Sequence, residues 1–325
     1  PGQEKKDRYY AGVFEHLTPD EQTQIRLVPT FHGYVPKDFP TTLRLLAEQE
    51  DRFLFKEHYL GFADYLHALA HSLRLFAIQP PRMPVGPFDF GRLIREELGR
   101  FGGFEDAVHG FLNLAFAKRM RALGARLIQV VDWHENQGRD RGWNYGFRLH
   151  FPDLPTVGYA PGSISQWYLS ATPLPSERKR GMLPDCLKVP GRHLAAAARK
   201  RDPKLHVETT GAFRFSKPVQ VKTGKTGPLR ALVPLSYDLN LANHACRLAR
   251  SLVSPAAKEK IRLIFKPHPA ADPCRIGHLQ AEGITVSETW SDRTFPEELA
   301  QADTVLGCWT TSLLEAVVAG VPAGI

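Results

Sequence analysis

The sequence predicts an α/β protein that is built from parallel sheets in two domains. Its 325 residues correspond to about two domains at roughly 150 residues each. Short, nearly continuous apolar segments, such as "ARLIQVVDW" at 125–133 and "IRLIFK" at 261–266, are typical of strands covered on both faces of a parallel sheet. Segments with apolar residues at three- and four-residue spacing alternate with these strands, which is the order of an α/β fold.

The first half begins with two long helical stretches. Apolar spacing predicts helix over 41–76 and again over 90–122, with a proline-rich loop at 77–88 between them. Gly124 is placed to end the second stretch, because glycine readily adopts the left-handed conformation that often follows a helix. Beyond it, the sequence predicts strands at 125–133, at 156–160 and within 204–211, and a helix at 191–200.

A basic segment rich in glycine and proline, 213–228, has no apolar periodicity and is predicted to link a first domain, 1–212, to a second, 229–325. In the second domain strand and helix alternate regularly, which predicts a doubly wound parallel sheet. Its predicted strands are 229–235, 260–266, 284–288 and 303–308, and its predicted helices are 239–253, 295–302 and 311–320. Because the chain stops at "AGVPAGI" without a polar tail, we expect this domain to be truncated.

Positive charge is concentrated in one region. Lys and Arg outnumber Asp and Glu by 42 to 34, a formal net charge of +8, yet residues 177–230, here named the basic belt, hold 14 basic and 4 acidic residues. Such a belt favours an anionic partner, and the alternative is a solvated, charge-rich surface. Nucleic-acid binding would need aromatic residues among the cations, where only Phe213 and Phe215 qualify, so we expect no nucleic-acid partner.

Cysteine usage and hydropathy indicate a cytoplasmic protein. The four cysteines are widely spaced and form no CxxC pair, which argues against a zinc ribbon or a thioredoxin-type site and fits reduced thiols. No apolar run reaches the ~18 residues that a spanning helix needs, and no signal peptide is recognisable.

Several familiar motifs are incomplete. "TGKTG" at 223–227 lacks the glycine that a phosphate-binding loop needs at 219, where valine stands. "WHENQ" at 133–137 lacks the second histidine of a zinc-protease helix, and no GxGxxG follows a strand. These observations argue against a P-loop, a zinc-protease and a dinucleotide-binding domain.

A stiff strand exit is predicted at "KPHP", 266–269. Pro267 has a fixed φ and cannot donate to the sheet ladder. His268 precedes a second proline, which biases it towards an extended conformation. The motif therefore holds Lys266 and His268 at the carboxyl end of a strand, the edge where open α/β sheets bind ligands.

A second candidate set follows the predicted strand 303–308. Thr310, Thr311 and Ser312 lie where the next helix begins, and the N–H groups of a helix start favour an anion. Glu315 lies about one turn further on, where it can accept hydrogen bonds from ribose hydroxyls. The alternative is that these hydroxyls are ordinary helix caps.

Together, "KPHP" and "TTSLLEAVVAGVP" resemble the donor half of GT-B glycosyltransferases. More narrowly, the His-Pro pair and the Ser/Thr pair resemble those of transferases that use CMP-activated acidic sugars. Among these, the chain most resembles the retaining β-Kdo transferases of lipopolysaccharide O-antigen and capsule assembly. The resemblance implies two Rossmann-like, doubly wound domains with an interdomain active-site cleft. In it, 1–212 would be the acceptor-side domain and 229–325 the donor domain. The donor-binding residues that it implies are Lys266, His268, Pro269, Thr310, Thr311, Ser312 and Glu315.

Two carboxylates are candidates for the chemistry, and His268 is counted with them among the catalytic residues. Glu135, in "DWHENQ", follows a predicted strand, and the polar residues and glycines beyond it, 136–148, predict a loop. Asp238 follows the first strand of the second domain. A retaining transfer can use one carboxylate as nucleophile and one as acid and base, and the resemblance assigns these roles to Asp238 and Glu135. The alternatives are that Glu135 pairs with Arg139 or Arg141 and that Asp238 is a helix N-cap.

The resemblance thus implies a glycosyltransferase that moves an acidic sugar, Kdo first, from a CMP-sugar to a surface-polysaccharide or lipid-linked glycan. No metal and no cofactor are expected, because the donor half has no DxD-type carboxylate pair. Two groups of the basic belt, 178–180 and 199–201, are expected to contact anionic lipid at the inner face of the cytoplasmic membrane. The alternatives are a UDP- or GDP-sugar transferase, an epimerase, and a polyol-phosphate transferase of the teichoic-acid type.

Overall fold

The computed structural model describes most of the chain. The described residues are 11–14, 16–30, 39–49, 52–100, 102–160, 173–215, 219–221, 227–236, 238–257, 259–268, 288–307 and 310–324. They form two compact units, Pro1–Arg214 and Phe215–Ile325. Each unit contains a parallel sheet with helices between its strands, which confirms the predicted α/β class.

The amino-terminal part of the first unit is largely helical. The α-helices described there are α1 (Ala11–Phe14), α2 (Pro19–Gln24), α3 (Phe39–Ala47), α4 (Phe62–Ser72), α5 (Phe90–Gly99) and α6 (Phe104–Ala122). Short 3-10 helices flank α4 at Lys56–His58 and Leu73–Ala77. The predicted loop 77–88 contains most of a hairpin, in which β1 (Pro84–Val85) pairs with β2 (Phe88–Asp89).

Both long helical stretches predicted from the sequence are interrupted. The stretch 41–76 divides because Phe53 forms a parallel bridge with Leu27, which holds the chain between α3 and α4 out of a helix. The stretch 90–122 divides at Gly103, whose φ of 77° is incompatible with a continuous right-handed helix.

A four-stranded parallel sheet follows in the first unit. Its strands are β3 (Val130–Trp133), β4 (Thr156–Tyr159), β5 (Cys186–Pro190) and β6 (His206–Thr210), in the order β3-β4-β5-β6. The helices described between them are α7 (Gly138–His150), α8 (Pro175–Lys179) and α9 (Arg192–Arg201). Lys188 and Pro190 interrupt the apolar pattern of β5, which explains why the sequence did not predict this strand.

The strand β3 is shorter than the predicted strand 125–133. Gly124, with a φ of 69°, ends α6 as predicted. Pairing with β4 begins only at Val130, which lies opposite Thr156, and Ile128 is 79% exposed. The apolar residues before Val130 therefore form a connection rather than a buried strand.

The segment 136–148 was predicted as a loop, but the structure shows that it forms most of the helix α7. The carboxylate of Asp140 accepts the backbone N–H of Gln137 at 2.9 Å, and this bond caps the first turn. The indole of Trp143 stacks on Phe116 of α6, with 5.9 Å between ring centroids. The polar residues and glycines of the segment are thus compatible with a helix that has one buried face.

The glycines that suggested a loop lie where α7 crosses α6. A Cβ atom at Gly142 would lie 2.1 Å from the carbonyl oxygen of Gly110, and one at Gly146 would lie 2.8 Å from Cα of Leu114. Both distances are far below van der Waals contact, so the two backbones can approach this closely only because side chains are absent there.

The helix α9 covers one face of β5 and β6. Leu187 and Val207 are register partners on these strands, and both pack with Ala195 of α9. Because successive side chains of a strand point to opposite faces, the residues that alternate with Leu187 and Val207 point to the other face.

The second unit contains a five-stranded parallel sheet. Its strands are β7 (Leu229–Pro234), β8 (Ile261–Lys266), β9 (Glu288–Trp290), β10 (Thr304–Leu306) and β11 (Ala323–Gly324), in the order β11-β10-β7-β8-β9. Its described α-helices are α10 (Leu239–Leu252), α11 (Phe295–Leu299) and α12 (Ser312–Val318). The predicted strand 284–288 lies outside the described residues except for its last residue.

Helices cover both faces of this sheet. Val233 and Phe265 pack with Cys246 of α10, whereas Leu232 and Ile264 pack with Ala316 of α12. The sheet is therefore doubly wound, as the sequence predicted. Because β8 lies on one side of β7 and β10 lies on the other, the strand order reverses between β7 and β10, and such a switch point marks the ligand crevice of open α/β sheets.

Candidate active site

The predicted nucleophile and the residues predicted for donor binding follow strands of the second unit at one edge of its sheet. Asp238 follows β7, Lys266 ends β8 with His268 two residues further on, and Thr310 follows β10. These strands are parallel and adjacent, so their carboxyl ends share one edge of the sheet, on both sides of the switch point. The placement of these residues at one sheet edge follows from the order and direction of the strands.

Lys266 and His268 lie on the β8 side of the switch point. Lys266 is half-buried, and its Nζ donates a hydrogen bond to the backbone carbonyl of Ser291 at 3.3 Å. His268 is exposed. Pro269, the last residue of the predicted motif, lies outside the described residues.

On the β10 side, Thr310 packs close to the strand end. A Cβ atom at Gly307 would lie 3.3 Å from Cγ2 of Thr310 and 3.6 Å from Cγ of Pro234, the last residue of β7. The hydroxyl of Thr310 accepts the backbone N–H of Ser312, the first residue of α12, at 3.2 Å. Thr311 is the N-cap residue of α12, and its side chain makes no capping hydrogen bond. The backbone carbonyl of Thr311 accepts the N–H of Glu315 at 3.2 Å.

Asp238 is an exposed residue that caps α10. Its Oδ1 accepts the backbone N–H of Leu241 at 3.0 Å, and its own N–H donates to the hydroxyl of Ser236 at 3.1 Å. The N-cap that the sequence analysis gave as the alternative is therefore present. This bond also fixes the orientation of the carboxylate at the carboxyl end of β7.

In the first unit, Glu135 lies two residues after the end of β3. Its carboxylate accepts hydrogen bonds from the indole N–H of Trp133 at 3.0 Å and from the side-chain amide of Gln137 at 2.7 Å. The two arginines named as alternative partners pair with other carboxylates: Arg139 with Asp106 at 2.6 Å, and Arg141 with Glu177 at 2.7 Å. Glu135 is half-buried and is oriented by neutral donors.

Asp140 fixes the turn that carries Glu135. Its Oδ2 accepts the backbone N–H groups of Glu135 and Gln137, each at 2.9 Å. Burial, with the nearby Asp132 carboxylate, raises the pKa of Asp140 to about 6, against the opposing effects of His134 and these two N–H groups. The turn is therefore attached to a carboxyl group that titrates just below neutral pH.

His134 lies in a buried polar cluster with Asp132 and Asn144. The side chain is 3% exposed, and Nδ1 lies 3.4 Å from Oδ2 of Asp132. Asn144 of α7 donates to the same oxygen at 3.0 Å. Burial disfavours the imidazolium, but the carboxylates of Asp132, Asp140 and Glu177 outweigh it and raise the pKa of His134.

The geometry of this cluster favours a structural role for His134 and Asp132, which hold β3 against α7, over a direct role in catalysis. Gly158 on β4 makes room for the imidazole, since a Cβ there would lie 3.0 Å from both Cβ and Cγ of His134. His134 Nε2 is buried and has no hydrogen-bond partner among the described residues. The signal in the sequence is the i, i+2 spacing of Asp132 and His134, which places both on one strand face.

The raised pKa of Asp140 predicts that stability falls as pH rises. The folded state binds the proton of Asp140 more tightly than the unfolded chain, in which the pKa of an aspartate is about 4. The free energy of unfolding therefore decreases as the pH rises from about 4 to the folded pKa of about 6, because the buried carboxyl group becomes charged over this range. We expect the free energy of unfolding of the wild type to fall, relative to Asp140→Asn, by up to about 3 kcal/mol across this range. Urea unfolding at several pH values measures this difference.

The asparagine variant keeps an oxygen that can accept both N–H groups, so the comparison isolates the charge. The control is Asp153→Asn at an exposed position, which should follow the wild type across the range. If the curves for Asp140→Asn and the wild type are parallel, Asp140 is not the titrating group.

The acidic residues of the basic belt are all engaged in ion pairs. The pairs are Glu177 with Arg141, Asp185 with Arg148, Asp202 with Arg178, and Glu208 with Lys188. Two of these arginines lie outside the belt, so among the belt's described cations these four acids form ion pairs with two lysines or arginines, Arg178 and Lys188. Lys179, Arg180 and Lys200 are exposed, and the positive surface that the sequence predicted is therefore present.

No protein-family model matches the chain, and no curated protein matches it either. Solved structures match it with low identity. They include a UDP-forming α,α-trehalose-phosphate synthase from Burkholderia xenovorans in complex with glucose-6-phosphate, at 14% identity and a TM-score of 0.45, covering 91% of this chain and 82% of that one. MurG from Acinetobacter baumannii matches at 12% identity and a TM-score of 0.45, covering 92% and 76%.

The trehalose-6-phosphate synthase OtsA matches at 10% identity and a TM-score of 0.46, covering 91% of this chain and 82% of that one. Overlaps of this size assign neither an activity nor a substrate to this chain. Among its described residues, no helix is both long and apolar enough to cross a membrane.

Proposed function

We propose that this protein is a glycosyltransferase of the GT-B kind that takes its sugar from a nucleotide donor bound by the second unit. The observation that carries the proposal is the shared sheet edge, where Asp238, Lys266, His268 and Thr310 follow three adjacent parallel strands beside the switch point. A cation, an imidazole and hydroxyl groups at such an edge are suited to a nucleotide phosphate. Within this class, the favoured donor is a CMP-linked acidic sugar, with Kdo first.

The resemblance of "KPHP" and "TTSLLEAVVAGVP" to donor halves supports roles for the individual residues. Lys266 and His268 would neutralise the phosphate, and Pro269 would keep the histidine in place. Thr310, Thr311 and Ser312 would contact the phosphate through hydroxyl or backbone N–H groups, and Glu315 would accept hydrogen bonds from the ribose. No metal is required for this scheme, since protein cations and donors balance the phosphate charge.

The proposed transfer retains the anomeric configuration in two steps. In the first, the Asp238 carboxylate attacks the anomeric carbon, the bond from that carbon to the phosphate oxygen breaks, and its electron pair leaves with CMP. In the second, Glu135 takes the proton of an acceptor hydroxyl, whose oxygen attacks the same carbon and releases Asp238. The N-cap bond at Oδ1 of Asp238 would orient the nucleophile.

The proposed acceptor is a surface-polysaccharide or lipid-linked glycan, and the basic belt would attract it or an anionic membrane. Arg178 forms an ion pair with the buried Asp202 at 2.6 Å, so a test of membrane contact should leave it intact. The suitable variant makes Lys179, Arg180, Lys200 and Arg201 neutral. Unchanged binding to anionic liposomes would contradict the proposed contact.

Calorimetric titration with CMP, UDP, GDP and CDP, with and without EDTA, tests the proposed donor. We expect EDTA-insensitive binding of CMP that is weakened about tenfold or more in His268→Ala, because the variant loses a group that contacts phosphate. The control is His244→Ala, which changes another exposed histidine of the second unit.

The other possible results of the nucleotide titration distinguish the alternative donors. Preference for UDP or GDP would keep the transferase class, or an epimerase, and reject the Kdo assignment. A donor activity with CDP-glycerol would indicate a polyol-phosphate transferase. Binding of none of the four nucleotides would overturn the proposed donor site.

A further inference from the structure

Three side chains with metal-ligating atoms lie together on β5 and β6. Cys186 and His206 are register partners on these strands, and Glu208 follows two residues after His206. Their sulfur, nitrogen and oxygen atoms all lie within 4.8 Å of one another. The two strands belong to the same sheet, so the backbone fixes the spacing of all three residues.

All three side chains point away from the core beneath α9. Leu187 and Val207, which pack with α9, alternate along the strands with Cys186, His206 and Glu208, so the latter occupy the opposite face. The side chains of His206 and Glu208 are 64% and 43% exposed. A dissolved ion can therefore reach them without unfolding the unit.

The chemistry of the set matches zinc. Zinc is bound by cysteine thiolate, histidine nitrogen and carboxylate oxygen at about 2.0–2.3 Å with tetrahedral angles, which places ligand atoms roughly 3.5 Å apart. The upper limit of 4.8 Å between the three atoms lies about one ångström above this spacing. Modest side-chain rotations, on a backbone that stays in place, can close this difference.

The present contacts of Glu208 leave one oxygen for an ion. Its Oε2 bonds to Nζ of Lys188 at 2.7 Å, while its Oε1 lies 3.2 Å from Nε2 of His206. A zinc ion would replace the contact between His206 and Oε1 and leave the lysine pair intact. Lys188 is nevertheless a competing cation for this carboxylate, so its removal should strengthen metal binding.

We propose that Cys186, His206 and Glu208 form a binding site for one zinc ion that joins β5 to β6. The site lies at the amino ends of the strands, whereas Glu135 follows the carboxyl end of β3, so the ion would take no part in sugar transfer. Its effect would be to hold β6, the last described strand of the sheet, against β5. The proposal is independent of the proposed transferase function.

Proton competition gives the site a pH dependence. Because zinc binds the thiolate, the ion must displace a proton. Affinity should therefore increase with pH across the neutral and mildly alkaline range.

Titration of the metal-free, reduced full chain with Co²⁺ tests the proposal, since cobalt bound to thiolate has an intense near-ultraviolet charge-transfer absorption. We expect this absorption to saturate at one equivalent, to disappear on addition of zinc and to be lost in Cys186→Ser. His206→Ala and Glu208→Gln should each weaken cobalt binding about tenfold or more. Lys188→Met should strengthen it.

The matched control is His193→Ala, an exposed histidine on α9, which should leave the titration unchanged. The substituted side chains are half-buried or exposed, and circular dichroism of the metal-free proteins verifies that each variant folds. In a separate measurement, zinc should raise the Tm of the wild type but not of Cys186→Ser. Absence of the absorption in the wild type, or an equal absorption in Cys186→Ser, would overturn the proposal.

Discussion

Replacement of Glu135 by glutamine is expected to lower kcat for sugar transfer by about 10²–10⁴-fold while nucleotide affinity stays the same. This is the usual contribution of a general base, and the proposed donor-binding residues all belong to the second unit. Glutamine has nearly the same shape and keeps an oxygen that can accept from Trp133 or Gln137, whose bonds to the carboxylate are 3.0 and 2.7 Å. The turn should therefore keep its conformation.

The variant should also accumulate a covalent intermediate. A phosphate leaves without protonation, so the step at Asp238 needs no acid, whereas the acceptor step needs the base. Incubation of Glu135→Gln with the donor that calorimetry identifies should yield a glycosylated protein by intact mass spectrometry, and Asp238→Ala added to the same variant should abolish it. Glu96→Gln, at a half-exposed glutamate, is the control. Wild-type turnover by Glu135→Gln would exclude the proposed base.

Gly142→Ala is expected to destabilise the first unit strongly. The new Cβ would lie 2.1 Å from the carbonyl oxygen of Gly110 and 2.4 Å from its Cα. These are backbone atoms of α6, so the two helices must separate, and we expect a loss of about 3 kcal/mol, or roughly 6–12 °C in Tm for a unit of this size. Urea unfolding followed by circular dichroism measures the change.

The control substitution, Gly99→Ala, is expected to leave the free energy of unfolding unchanged or to increase it. Gly99 lies in α5, where an added Cβ would meet nothing within 4 Å, so Gly99→Ala should be neutral or stabilise the protein by up to about 1 kcal/mol through helix propensity. The pair of variants separates steric overlap from propensity. Equal stability of Gly142→Ala and the wild type would mean that α6 and α7 do not approach this closely in solution.

The fold of the second unit was largely predictable because β7, β8 and β10 are short apolar segments and because β7 and β10 are each followed by a helix. The helix that most of the segment 136–148 forms was not predictable, because Gly138, Gly142 and Gly146 favour a loop when the sequence is considered alone. In the structure they allow the close approach of α7 to α6. A glycine that a helix needs for packing looks the same in a sequence as a glycine that ends a helix.

Of the candidate site, the sequence predicted which residues lie at the ends of strands, but not which strands are neighbours in the sheet. Lys266 and Asp238 were assigned to carboxyl ends because each follows an apolar run, and the structure places them there. The order β11-β10-β7-β8-β9 depends on pairings between distant segments, which periodicity does not specify. The contacts of Asp140 with the turn after β3 were also not predictable, because they require α7 to be a helix that folds back onto that turn.

The attachment of the turn at Glu135 to Asp140 has a consequence for binding. Two backbone N–H groups share one carboxylate oxygen, and Asn136 between them adopts a φ of 56°, so the conformational entropy of this turn is lost when the unit folds. A substrate that meets Glu135 therefore does not have to supply the free energy for ordering it. We expect the turn to have the same conformation in the free and the occupied protein, with hydrogen exchange at Glu135 and Gln137 that is slow in both.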